Sequence, residues 1–144
     1  MTPIRIAKAI AAIGIALAAS VALAHDDATL DKMKTPHGGQ LRAAGVYHFE
    51  LVVARDARPA SERPVVVYLT DHAGQKVPAA GAKGTATLLG AAGKASITLA
   101  PDGDNRLKGV GKYASDPTLK AVVVVTFANG SSEQARFEPM KAMH

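Results

Sequence analysis

Cysteine and tryptophan are absent from the 144 residues, and other aromatic residues are scarce, with three Phe and three Tyr. The lack of cysteine excludes disulfides, thiolate metal ligands and a cysteine nucleophile. Basic residues form no cluster and do not alternate with aromatic ones, so nothing predicts a nucleic-acid partner. A Gly-x-Ser-x-Gly elbow, a phosphate-binding glycine loop and a complete calcium loop are also missing. We therefore expect a binding protein and not an enzyme.

One long apolar run is present, from Ala9 to Leu23, and two basic residues precede it. Its roughly 15 residues are fewer than the about 20 that a membrane span requires. Ala22-Leu23-Ala24 provides the small-x-small pattern that signal peptidase recognises. We predict that residues 1–24 form a cleaved, helical signal peptide, with a retained membrane anchor as the alternative.

Cleavage after Ala24 would leave 120 residues, enough for a single domain, and would lower the formal charge from +5 to +3. The mature chain would begin at His25 and would not insert stably into a membrane. An exported chain without disulfides favours the bacterial periplasm, and we expect that location.

Short segments with period-2 alternation or β-branched residues follow the leader. In the first, Tyr47, Phe49 and Leu51 occupy one face and are expected to be buried. The predicted strands are 46–55, 65–70, 85–89, 95–99, 106–110, 119–128 and 131–138. Turn signals separate them every 8 to 12 residues. This spacing predicts an all-β fold, an immunoglobulin-like antiparallel β-sandwich of about seven strands.

The expected domain organisation has three parts after the leader. Residues 25–45 are polar and turn-rich and predict a flexible arm. Residues 46–139 would form the β-sandwich, and residues 140–144 a C-terminal tail. Within the sandwich, Asn129-Gly130 predicts a two-residue hairpin turn. That turn would place Val122 opposite Phe137 on the inward face.

Without cysteine, the five histidines are the candidate ligands for a transition metal. The α-amine and ring of a terminal His25 could chelate one ion in the manner that suits Cu(II), or His25 could simply be the residue that cleavage exposes. His37 lies between Pro36 and two glycines, where backbone can approach a bound group closely. A solvated loop histidine is the alternative there.

His48 and Glu50 lie two residues apart on one strand face, roughly 7 Å from each other. They could share one ion or form a surface ion pair. His72 follows Asp71 in a predicted turn, where an exposed side chain is the simpler expectation. The C-terminal Met140, Met143 and His144 offer soft donors for Cu(I), or form a frayed tail.

Several segments resemble periplasmic proteins of bacterial heavy-metal efflux systems, and in particular the His-Gly-Gly region of some metal-efflux adaptor subunits. The segments are Pro36-His37-Gly38-Gly39-Gln40, Tyr47-His48-Phe49-Glu50-Leu51-Val52, Val67-Tyr68-Leu69-Thr70-Asp71 and Gly74-x-x-Val77-Pro78. The resemblance implies a metal-handling role with His37, His48 and Glu50 as the positions carried over. The chain lacks the coiled-coil heptads and lipoyl-like halves of a full adaptor.

Together these features predict a periplasmic metal-binding protein that buffers or hands over an ion in metal resistance or efflux. The expected ligands are His25, His37, His48 and Glu50, and the expected ion is copper or zinc, with nickel or cobalt also possible. A metal-efflux pump component is a possible partner. The alternative is a metal-free β-sandwich that docks on an envelope or efflux partner through a sheet edge.

Overall fold

The computed structural model describes residues 26–141. The predicted signal peptide, His25 and residues 142–144 lie outside the described residues. The elements are α1 (Asp27–Leu30), β1 (Gln40–Ala44), β2 (Tyr47–Val53), β3 (Ser61–Asp71), β4 (Lys83–Gly90), β5 (Gly93–Pro101), β6 (Arg106–Tyr113), β7 (Lys120–Thr126) and β8 (Ser132–Phe137). The all-β prediction is confirmed. Within the described range, no helix is long and apolar enough to cross a membrane.

The eight strands form one antiparallel sheet in the order β1-β2-β3-β6-β5-β4-β7-β8. Strand β5 joins its two halves, because it pairs with β4 along its length and with β6 only at Ala100 and Pro101. The terminal strands β1 and β8 lie close together, and the Glu138 amide donates to Gln40 Oε1 at 2.8 Å. The sheet is therefore nearly closed. Its immunoglobulin-like character stays a prediction.

The core lies inside this sheet and is built mainly from aliphatic side chains, with few aromatics; every strand contributes to it, β1 only through Ala44. Phe49 and Leu51 of β2 are buried, as their alternation predicts. The opposite face of β2 is buried too, since His48 and Glu50 are 4% and 3% exposed. Something other than the sheet interior must therefore cover that outer face.

The cover begins in the region predicted as a flexible arm. Residues 26–39, which we call the N-terminal segment, contain α1 and lead directly into β1. Arg42 of β1 fixes α1 through Asp31, with Nη1 2.8 Å from Oδ1, and through Asp27 at 3.4 Å. The hydrogen bond from Arg42 also lowers the pKa of Asp31. The predicted arm thus contributes an eighth strand and an anchored helical turn.

The β7–β8 hairpin corrects the predicted register by one residue. Ala121 lies opposite Phe137 and Val123 opposite Ala135, so Val122 is not the inward partner of Phe137. The reason is a three-residue loop closed by Phe127 and Ser131, in which Gly130 alone takes positive φ, +85°. A one-residue change of register moves every side chain to the other face.

Candidate functional site

Glu50 attaches the N-terminal segment to the outer face of β2. Its Oε2 accepts hydrogen bonds from the backbone amides of His37 at 3.1 Å and Gly39 at 2.9 Å. Its Oε1 lies 2.9 Å from Nδ1 of the His37 ring. The Glu50 side chain is almost completely buried, and its carboxylate requires such partners because burying it without them would be costly. Glu50 therefore pairs with His37 rather than with its strand neighbour His48.

The two glycines after His37 allow this attachment. Gly38 has φ +71°, a left-handed conformation that other residues adopt only with strain. A Cβ on Gly39 would lie 2.5 Å from the Leu51 carbonyl oxygen and 2.9 Å from Glu50 Cγ. The His-Gly-Gly sequence thus turns the chain and lets its backbone cross β2 in close contact.

The His37 ring is held on a second side by Tyr68. The two rings are parallel, with centroids 3.5 Å apart, and Tyr68 lies directly across from Glu50 in the β2–β3 pairing. The His37 side chain nevertheless stays 39% exposed. Its position is therefore fixed by Glu50 and Tyr68 while part of the ring faces solvent.

Two more imidazoles, those of His48 and His72, lie further along the same face. His48 is opposite Thr70 of β3, and His72 comes two residues after Thr70, immediately after the end of β3. Their rings stack with centroids 4.6 Å apart and planes inclined by 22°. Asp71 shapes the turn that carries His72, because its Oδ1 accepts from the amides of Ala73 and Gln75, each at 2.9 Å.

One cavity of about 300 Å³ connects these groups. We call it the histidine pocket, after His37, His48 and His72 in its wall; Met33, Glu50 and Tyr68 also line it. Residues 26–141 contain only these three histidines, and all three reach the one pocket. The N-terminal segment supplies one wall, from Met33 to His37.

The predicted ligands are therefore partly brought together. His37, His48 and Glu50 share the histidine pocket, and His72, expected to be a simple turn residue, joins them. His25 precedes the first described residue, and Met143 and His144 also lie outside the range. Met140 packs against the core. The β2–β3 pairing places His72 diagonally beside His48, and no local sequence pattern indicates that pairing.

The side chains do not form a ready-made coordination sphere. Among residues 26–141, no group of three His, Asp or Glu side chains is arranged to hold a metal ion. Both oxygens of Glu50 already accept hydrogen bonds from the N-terminal segment. Any ion would therefore depend on the imidazoles, after rotation of their side chains. Comparison with family models, characterised proteins and solved structures gives no match for this chain.

Proposed function

We propose that this chain is a periplasmic protein that binds a transition-metal ion in the histidine pocket and buffers it or hands it to an efflux system. One observation carries the proposal. The three histidines between residues 26 and 141 are far apart in sequence, yet they line one cavity of about 300 Å³. Imidazole nitrogens are the preferred protein ligands of zinc, copper and nickel once thiolates are excluded.

The spacing of the imidazoles supports the proposal. A zinc ion lies about 2.0–2.1 Å from each ligating nitrogen, so two such nitrogens are only a few ångströms apart in a tetrahedral site. The His48 and His72 rings are already 4.6 Å apart and need to turn, not to approach. His72 lies on an exposed turn, where a new rotamer displaces little. The Met33 thioether at the wall adds a soft donor for copper.

The cellular part of the proposal rests on the sequence. The predicted signal peptide supports a periplasmic location, and the resemblance of the His-Gly-Gly region to metal-efflux adaptors supports a role in metal resistance. His25, which lies outside the described residues, could chelate an ion through its α-amine and ring if it begins the mature chain; it precedes Asp26, the residue that caps α1. The histidine pocket and this terminal chelate must therefore be distinguished by experiment.

Zinc titration calorimetry on residues 25–144 tests the proposal. We expect one zinc ion per chain, with affinity at least tenfold weaker in His72→Ala, a change of about 1.4 kcal/mol. Gln75→Ala is the matched control, since Gln75 lies in the same turn and does not line the histidine pocket. Binding unchanged by His72→Ala and abolished by His25→Ala would assign the ion to the terminus and refute the pocket.

If none of zinc, copper, nickel and cobalt binds, metal binding is refuted. The alternative, a metal-free β-sandwich that docks on an envelope or efflux partner, then remains. The fold gives that alternative less support, because β1 and β8 lie together and the sheet is nearly closed. The melting temperature provides a second measurement. An ion at 100 times its dissociation constant stabilises the protein by about 2.7 kcal/mol, whereas a metal-free module shows no shift.

A further inference from the structure

The contact between His37 and Glu50 determines which ring nitrogen carries hydrogen. An ionised carboxylate can only accept hydrogen bonds, and a neutral imidazole has one N–H and one lone-pair nitrogen. Nδ1 lies 2.9 Å from Glu50 Oε1, so Nδ1 must be the donor. The lone pair is then left at Nε2, the nitrogen remote from Glu50.

We propose that Glu50 is the positioning residue of the histidine pocket: it selects the Nδ1–H tautomer of His37 and so makes Nε2 the ligating nitrogen. The consequence for metal binding rests on the function proposed above, whereas the tautomer does not. A carboxylate that accepts the second N–H of a ligating histidine fixes the tautomer and the ring orientation and raises ligand basicity. Glu50 thus acts on an ion through His37 and not as a ligand.

Three further contacts make Glu50 suited to this role. The amides of His37 and Gly39 donate to Oε2, so the carboxylate cannot rotate away from the ring without losing both bonds. The parallel Tyr68 ring, at 3.5 Å, prevents the imidazole from tilting. The ring plane and its hydrogen are therefore set before any ion arrives.

The Glu50→Gln variant separates two roles of Glu50, which are the positioning of the His37 ring and the attachment of the N-terminal segment to β2. The Gln carbonyl oxygen can still accept from both backbone amides, so the N-terminal segment stays in place. The Gln NH₂ group then faces Nδ1 and donates to it, which moves the ring hydrogen to Nε2 and blocks the ligating lone pair. Glu62→Gln is the matched control, because Glu62 is exposed on β3 and does not line the histidine pocket.

The first measurement uses the metal-free protein. Nitrogen-15 NMR of the His37 ring should show hydrogen on Nδ1 in the wild type and in Glu50→Gln a shift toward Nε2, with Glu62→Gln like the wild type. A wild-type ring protonated on Nε2, or an unchanged tautomer in Glu50→Gln, would overturn the proposal. The wild-type spectrum alone decides the tautomer, even where the variant does not fold.

The second measurement is zinc affinity by calorimetry. Glu50→Gln should bind zinc about 10- to 100-fold more weakly, the loss typical of removing such a partner, while Glu62→Gln binds normally. Equal affinity in Glu50→Gln and wild type would overturn the role of Glu50. A wild-type protein that binds no zinc would refute the proposed function, and the NMR result would still decide the tautomer.

Discussion

Alanine at Gly39 tests whether the N-terminal segment builds the histidine pocket. The new Cβ would lie 2.5 Å from the Leu51 carbonyl oxygen, which belongs to the interior strand β2 and cannot move aside. The N-terminal segment must therefore lift from β2. Two backbone hydrogen bonds to Glu50 are then lost, each worth about 1.5–3 kcal/mol because the acceptor is charged. We expect the free energy of unfolding to fall by about 3 kcal/mol or more.

Gly38→Ala is the matched control for this change. A Cβ at Gly38 meets no atom within 4 Å, so the only cost is the left-handed φ of +71°, about 1–2 kcal/mol. Urea denaturation measures both losses, and calorimetry measures zinc binding. Gly39→Ala should bind zinc as weakly as His37→Ala, and Gly38→Ala nearly as well as the wild type. Equal destabilisation by the two alanines, or normal zinc binding by Gly39→Ala, would refute the reasoning.

Two further predictions concern stability and pH. Burial raises the pKa of Tyr113, whose hydroxyl donates to the Pro64 carbonyl at 2.7 Å and accepts from the Ala54 amide at 2.8 Å. The neutral phenol is favoured in the fold, so stability should be complete below the ordinary value of about 10 and be lost as pH rises through the raised pKa. Tyr113→Phe should lower the free energy of unfolding by about 1–3 kcal/mol at pH 7 and remove the loss of stability at alkaline pH. Urea denaturation at several pH values measures both effects. The same dependence of stability on alkaline pH in variant and wild type would contradict the prediction. The pKa of Asp31 is lowered by its hydrogen bond from Arg42, so this pair stabilises the fold above the ordinary carboxyl value, and the stabilisation disappears as pH falls through the lowered pKa. Asp31→Asn should therefore lower the free energy of unfolding by about 1 kcal/mol or less at pH 7 and should not change it in strong acid. A difference in stability between the variant and the wild type that persists in acid would contradict the assignment.

The strands that sequence reasoning located share one property, and β1 lacks it. In the located strands, apolar residues mark the inward positions. In β1 the inward positions hold Gln40, Arg42 and Ala44, while Leu41 is only half-buried. Gln40 is buried because it accepts a hydrogen bond from the Glu138 amide, immediately after β8. Arg42 is buried because Asp31 and Asp27 neutralise its charge. These are tertiary partners, and hydrophobic alternation carries no information about them.

The hairpin register and the composition of the site also depend on features that local sequence patterns do not contain. Asn129-Gly130 predicts a turn, but it does not distinguish a two-residue loop from the three-residue loop that is present. His37 and His48 were recognisable as candidates from their neighbours in sequence. Their meeting with His72 required the β2–β3 pairing and the crossing of the N-terminal segment over β2, neither of which a local pattern contains.

The attachment by Glu50 also explains why affinity for an ion should depend on residues that never touch it. Only molecules whose N-terminal segment lies on β2 present His37, so the apparent dissociation constant is the intrinsic one divided by their fraction. If the two amide bonds to Glu50 hold the segment by about 3 kcal/mol, nearly every wild-type molecule is competent. A strain of about 1.5 kcal/mol at Gly38 still leaves about nine in ten competent. A steric clash at Gly39 excludes the attached state itself, so Gly39→Ala should lose the zinc affinity that His37 supplies, whereas Gly38→Ala should lose almost none.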